Sequence, residues 1–355
     1  MKIDDYIPQN IIGTKEIIKH TLYQPLIELD LDSVYFLLNI QNITTVKVPQ
    51  HYKNVIISFH TEYYNYFDLL EFFKKYSDIN FLLLSDGSPS NIWPENVTYA
   101  QWISYGYQLE HMNEMYGHCQ KQHPKTRLFS SLSFREEFHK SAITAYLINE
   151  YPDSLLSWHA WSDSEEQHYW KQEGYYISDI VEKYLSSPAF NNIGIITIDS
   201  FDEDINLPIN NGHWSNPAYL NCEFNLTNES IYNTEFNNKG IYTTPYLTEK
   251  TWKPLIAKQP FLPVGQANTL SFLTKLGMKF DYGFDLGYDS IQEDFTRLEN
   301  LFKLLDELKN IDDFTQARNS AEYNLEMIIS GEFNKNCVKN NILQLKKIKE
   351  WYERT

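Results

Sequence analysis

The sequence predicts an α/β protein built on parallel sheets, and three observations predict it. Apolar runs such as Val55-Ile56-Ile57 and Phe81-Leu82-Leu83-Leu84 show no alternation between inside and outside, as expected of strands covered on both faces. Segments of helical period separate these runs. The chain has 355 residues, 42% of them hydrophobic, which is enough for two domains of ordinary size.

The elements follow in order. Val34 to Leu38 reads as the first strand, and Asn54 to Phe59 as the second, ending at the polar group His60-Thr61-Glu62. A helix is predicted from Tyr66 to Tyr76, with Phe67, Leu70 and Phe73 on its apolar face. The strand Asn80 to Ser85 ends at an Asp86-Gly87 turn. After the strand Arg127 to Leu132, a helix from Glu136 to Glu150 buries Ala142, Ile143, Ala145, Tyr146 and Leu147. Tyr151-Pro152-Asp153 stops it. The polar, aromatic stretch Ser162 to Pro188 reads as irregular or helical. Asn-, Pro- and Gly-rich sequence from Asn206 to Gly240 is broken by a strand, Ala218 to Leu226. A last strand covers Phe261 to Gly265. Helices are expected over 268–276, 291–308, 314–329 and 338–353. The domain reading is 1–160, then 161–330, with a C-terminal helix over 331–355 packing back on the first domain.

A formal charge of −17 runs against the balance of proteins that neutralise nucleic-acid backbones, although lysines gather locally between Lys121 and Lys140 and between Lys335 and Lys349. No apolar run reaches the ~20 residues needed to cross a bilayer. The start, Met1-Lys2-Ile3-Asp4-Asp5, lacks the pattern of a secretory signal, so a soluble, cytoplasmic protein is expected. Cys119, Cys222 and Cys337 are widely spaced and form no CxxC pair, which indicates neither a disulfide framework nor a structural zinc site.

The densest chemistry lies in Tyr246-Leu247-Thr248-Glu249-Lys250-Thr251-Trp252-Lys253-Pro254-Leu255. Thr248 fits a helix N-cap, with Glu249 in the first turn, where the helix dipole favours an anion. Strand ends and helix starts of this kind hold phosphorylated ligands in open α/β sheets. A carboxylate there suits ribose hydroxyls and an ammonium suits phosphate. Glu and Lys are also ordinary solvated helix-start residues, so this decapeptide alone does not decide between the two.

The surroundings add a resemblance. Phe224-Asn225-Leu226-Thr227-Asn228-Glu229-Ser230, followed by Tyr246-Leu247-Thr248-Glu249-Lys250 and then Phe261-Leu262-Pro263-Val264-Gly265, resembles the donor-site region of the fucosyltransferase and exostosin-like glycosyltransferases. A looser match reaches back to Ser133-Phe134-Arg135-Glu136-Glu137-Phe138-His139-Lys140. Related sequences of viral and bacterial type carry an Arg-rich run there. The resemblance covers roughly residues 125–285. It implies a GT-B architecture, in which two Rossmann-like domains face one another across a cleft and the second holds the donor nucleotide. It also implies inverting, metal-independent transfer of a sugar from a UDP- or GDP-linked donor, with no cofactor. The acceptor is a glycan, a lipid-linked sugar or a modified base in nucleic acid. The sequence leaves the oligomeric state open.

Roles follow from the needs of glycosyl transfer: neutralising the leaving diphosphate, stabilising the oxocarbenium-like centre and taking the acceptor's proton. Lys250 and Arg135 are the candidates for the diphosphate. Glu249 is the candidate for the ribose, capped by Thr248, with Asn228 or Glu229 nearby. Lys253 is either a second phosphate contact or a solvated lysine. The general base is sought at the predicted carboxyl ends of the first strands, in Glu62 or Asp86, with His60 beside them. His139 fits a phosphate contact or packing under the sheet equally well. Trp158, Trp161, Tyr169 and Trp170 fit an acceptor site or a core. Asp30-Leu31-Asp32 and Asp202-Glu203-Asp204 match a metal-binding DxD pattern, but such triplets are expected in so acidic a chain.

The alternative is a non-catalytic binding or assembly protein that keeps the fold. It is motivated by Ser, Glu and Lys at three of the family's arginine positions and by the reversed order of Asn228-Glu229. A phosphate-binding hydrolase finds no GxSxG, HExxH or P-loop in support.

Overall fold

The computed structural model describes residues 34–38, 43–58, 66–85, 87, 92–101, 124–133, 137–158, 178–194, 196, 217–234, 242 and 244–353. The chain is a mixed α/β protein with parallel sheets. It divides into two compact units. The first comprises Met1–Gln108, Glu235–Thr244 and Gly331–Thr355, and the second Leu109–Thr234 and Pro245–Ser330. The division therefore does not fall at residue 160. The strand Arg127–Ser133 pairs with Leu155–Trp158 on one side and with Cys222–Asn228 on the other, where Phe129 stands opposite Phe224, so both early strands belong to the second sheet.

In the first unit β1 (Val34–Leu38), β2 (Asn54–Ser58), β3 (Asn80–Ser85) and β4 (Val97–Gln101) form a parallel sheet in chain order. Val55, Ile57, Phe81 and Leu83 line one face. Against it packs α1 (Tyr66–Lys75), which seats Leu69, Phe72 and Phe73, with the Phe73 and Phe81 rings 4.8 Å apart. The helix is rotated from its sequence-based setting: Phe67 is 43% exposed, and the buried stripe runs through 69, 72 and 73. Ile56, Leu82 and Leu84 are buried on the alternate face. The C-terminal helix Glu332–Tyr352 packs on β3 and β4, and Asn80 Nδ2 donates to the Trp351 carbonyl at 3.0 Å. This helix begins six residues before Val338 because Gly331, at φ 72°, makes the turn that starts it.

The second unit holds a parallel sheet in the order β6-β5-β7-β8, with β5 at Arg127–Ser133, β6 at Leu155–Trp158, β7 at Cys222–Asn228 and β8 at Phe261–Val264. From β5 the chain runs through α2 (Phe138–Glu150) to β6 on one side. From β7 it runs to β8 on the other side, and α3 (Glu249–Ile256) lies in that connection. Three more helices follow: α4 (Thr269–Lys275), α5 (Asp294–Leu308) and α6 (Thr315–Ile329). Short helices occupy Asp179–Leu185, Pro188–Asn191 and Pro217–Leu220. The last lies where the sequence suggests the start of a strand, so β7 begins at Cys222. One core joins α2, α5 and the sheet, with Tyr146 stacked on Phe302 at 4.2 Å and Phe224 meeting Phe314 edge-on at 5.0 Å. No helix among the described residues is long and apolar enough to cross a membrane.

Candidate functional site

Order in the second sheet reverses between β5 and β7. The connection after β5 leads away to β6 and the one after β7 leads away to β8, so the strand ends at Ser133 and Asn228 lie at a switch point in strand order, the position at which open α/β sheets place ligands. The residues of the resemblance converge here. Asn228, the last residue of β7, is buried and donates Nδ2 to Ser131 Oγ at 2.8 Å and to Ser133 Oγ at 2.9 Å, tying the two strand tips together.

Glu229 follows at once and is 1% exposed. Its carboxylate accepts from Thr248 N at 3.3 Å, from Thr248 Oγ1 at 2.6 Å and from Thr251 Oγ1. Burial pushes its carboxyl up from the usual glutamate range, against the opposing pull of the Lys250 charge and the threonine hydroxyls. Thr248 is the N-cap of α3, as its residue type predicts, and accepts from Lys250 N at 3.3 Å. Lys250 is half-buried, and its Nζ donates to Ser230 Oγ and to Thr248 Oγ1, each at 3.2 Å.

Across the strand ends stands the start of α2. Lys140 is 4% exposed and pairs through Nζ with Glu137 Oε2 at 2.8 Å. Burial lowers its ammonium from the usual lysine range and Glu137 opposes that. The Lys250 charge lowers it further, while Glu229 raises it, so both ammonium groups and the buried carboxylate share one field. His139 is buried, stacked on Tyr232 at 4.9 Å, and its Nε2 lies 2.9 Å from the Glu229 carbonyl. A carbonyl only accepts, so Nε2 carries the proton. Burial, with Lys140 adding to it, holds the imidazole well below the usual histidine range and therefore neutral.

Arg297 braces the floor. It is buried and donates to the carbonyls of Gly265 (3.1 Å), Ile291 (2.9 Å) and Tyr232 (2.8 Å), and to Asp294 Oδ1 (2.7 Å). The next helix start is closed by the chain itself: the Asp289 carboxylate accepts from Thr269 N at 3.1 Å and Leu270 N at 2.9 Å at the beginning of α4. Burial pushes Asp289 up to about 7.

Structure thus brings together Thr248, Lys250, Asn228 and Glu229. Glu249 opens α3, but its side chain lies outside the described residues, as do Arg135, Glu62, Asp86, His60 and both acidic triplets. Lys253 is half-buried one turn along α3. His139 takes the packing role. Trp158 ends β6 in the core against Phe190 at 5.7 Å, while Trp161, Tyr169 and Trp170 lie outside the described residues. Nothing in the sequence marks Lys140. A lysine three residues after Glu137 reads as a solvated helix pair, and only its burial distinguishes it.

Neither protein-family models nor curated proteins give a match to this chain.

Proposed function

We propose that this chain is a glycosyltransferase of GT-B type, moving a sugar from a UDP- or GDP-linked donor to an acceptor hydroxyl with inversion and without a metal. One observation carries the reading: the Lys250 ammonium is held on Ser230 Oγ and Thr248 Oγ1 directly after the end of β7, where strand order reverses in a parallel sheet, and the Lys140 ammonium lies at the start of the helix that follows β5. A leaving diphosphate gains negative charge as the glycosidic bond breaks, and fixed cations in a partly dry crevice stabilise that charge most. Asp289 already fills the start of α4, the helix that follows β8, so that helix start is not offered to an anion. Glu249 is assigned to the ribose and Arg135 to the diphosphate, and Glu62 or Asp86 is the base that takes the acceptor's proton. A GT-B enzyme requires two Rossmann-like domains, and two units with parallel sheets support that part of the reading. The acceptor is a glycan, a lipid-linked sugar or a modified base in nucleic acid, and the working place is the cytoplasm.

The test is release of nucleotide from a panel of UDP-, GDP-, CMP- and dTDP-sugars, with and without candidate acceptors. One donor is expected to turn over, slowly with water and faster with acceptor, and Lys250→Ala is expected to abolish both. The second reading, a binding protein without chemistry, rests on the Ser, Glu and Lys that stand at three of the family's arginine positions. That reading gains if a folded chain binds one of these nucleotides and never releases it from a sugar.

A further inference from the structure

Every hydrogen bond given to the Glu229 carboxylate comes from a donor: the Thr248 amide, the Thr248 hydroxyl and the Thr251 hydroxyl. The direction of this chain is fixed from its other end. The backbone N–H and the Nζ of Lys250 can only donate, and Thr248 Oγ1 accepts from both. The Thr248 hydroxyl must therefore donate its hydrogen bond to Glu229, and only a group that accepts at both oxygens completes the arrangement. A glutamine of the same shape turns an amide N–H₂ toward Thr248 or Thr251 and sets donor against donor.

Space around Glu229 is as particular as its polarity. Gly265 lies against it, at a position where a side chain would stand 3.1 Å from Glu229 Cβ. The Glu229 carbonyl is held in turn by His139 Nε2 at 2.9 Å.

We infer that Glu229 is a positioning residue rather than a ligand contact: through Thr248 and Thr251 it fixes the first turn of α3 and thereby holds the Lys250 ammonium at the strand tips. This deepens the proposed function and rests on its reading of Lys250 as an anion-binding group. It also separates Glu229 from Glu249, since a carboxylate whose oxygens are both engaged by the protein is not offered to ribose hydroxyls.

The experiment is calorimetric titration of the full chain with inorganic pyrophosphate, for the parent protein, Glu229→Gln, Lys250→Ala and the double variant. Glu229→Gln is expected to weaken binding about tenfold or more, equivalent to about 1.4 kcal/mol. Lys250→Ala is expected to weaken it at least as much, and the double variant no more than Lys250→Ala alone. That lack of additivity is the sign of action through Lys250, and a merely structural role would not produce it.

If Glu229→Gln melts earlier yet binds pyrophosphate like the parent protein, or if its loss adds in full to that of Lys250→Ala, the positioning role is overturned while the reading of Lys250 stands. If the parent protein does not bind, or Lys250→Ala binds as well as it does, the reading of Lys250 falls and this inference with it. Should Glu229→Gln fail to fold, Thr251→Val removes one of the three donors. It is expected to show a smaller loss, likewise absent in the Lys250→Ala background.

Discussion

Replacing Gly265 with alanine places a methyl group 3.1 Å from Glu229 Cβ and 3.3 Å from Glu229 Cγ, with the Ile231 carbonyl at 3.8 Å. The backbone at Gly265 is not in the left-handed region, so the substitution meets contact alone and no backbone strain. Relief requires Glu229 to retreat by a few tenths of an ångström. Glu229 is 1% exposed and held by three donors at its carboxylate and one at its carbonyl, so retreat means stretching those bonds. Overpacking of this kind costs about 1–3 kcal/mol. In a unit of about 200 residues each kcal/mol is worth about 2–4 °C, so Tm is expected to fall by about 2–12 °C. Differential scanning calorimetry measures it. Gly194→Ala is the control, since nothing lies within 4 Å of its added carbon, and it is expected to be neutral or slightly stabilising. If Gly265→Ala melts with the parent protein and binds pyrophosphate equally well, Glu229 yields easily and is not a rigid anchor.

Other consequences are as direct. Asp289 titrates at about 7 in the folded chain and near the ordinary aspartate value when unfolded, so the folded state holds the extra proton between about pH 4 and 7. Its contribution is complete below that window and is lost as pH rises through it, up to about 4 kcal/mol in all. Urea midpoints of the parent protein minus those of Asp289→Asn should therefore fall across the window, and parallel curves would contradict the assignment. Arg297→Met leaves the carbonyls of Gly265 and Tyr232 without this donor and removes the cation paired with Asp294, at a cost of about 3–5 kcal/mol. A loss below about 1 kcal/mol in urea unfolding would show that Arg297 does not brace the loop.

Much of the fold was legible because burial on both faces leaves a plain mark. Val55-Ile56-Ile57 and Phe81-Leu82-Leu83-Leu84 announce themselves as covered parallel strands, and Tyr151-Pro152 as a helix stop. Strands without that mark do not stand out in the sequence. Val97–Gln101 carries Thr98, Tyr99 and Gln101 among its five residues, and Leu155–Trp158 has only four. The pairing of Arg127–Ser133 with Cys222–Asn228 links residues about a hundred positions apart, so the chain's division into units was not available from local pattern. At the site, Thr248 was legible as a cap because capping is local. The placing of Glu229 was not, since its partners lie 19 and 22 residues along the chain and its room depends on Gly265. Lys140 was hidden for the same reason: burial of an ammonium is a property of the packing around it.

The central claim is that the strand tips at Asn228 and Ser133 form a site for a nucleoside diphosphate held by Lys250. Calorimetric titration of the full chain with UDP, GDP, CMP and dTDP tests it most directly. Saturable binding of UDP or GDP, competed by pyrophosphate and lost in Lys250→Ala while Tm is kept, is the predicted result. A folded chain that binds none of the four, or whose binding survives Lys250→Ala undiminished, contradicts the claim.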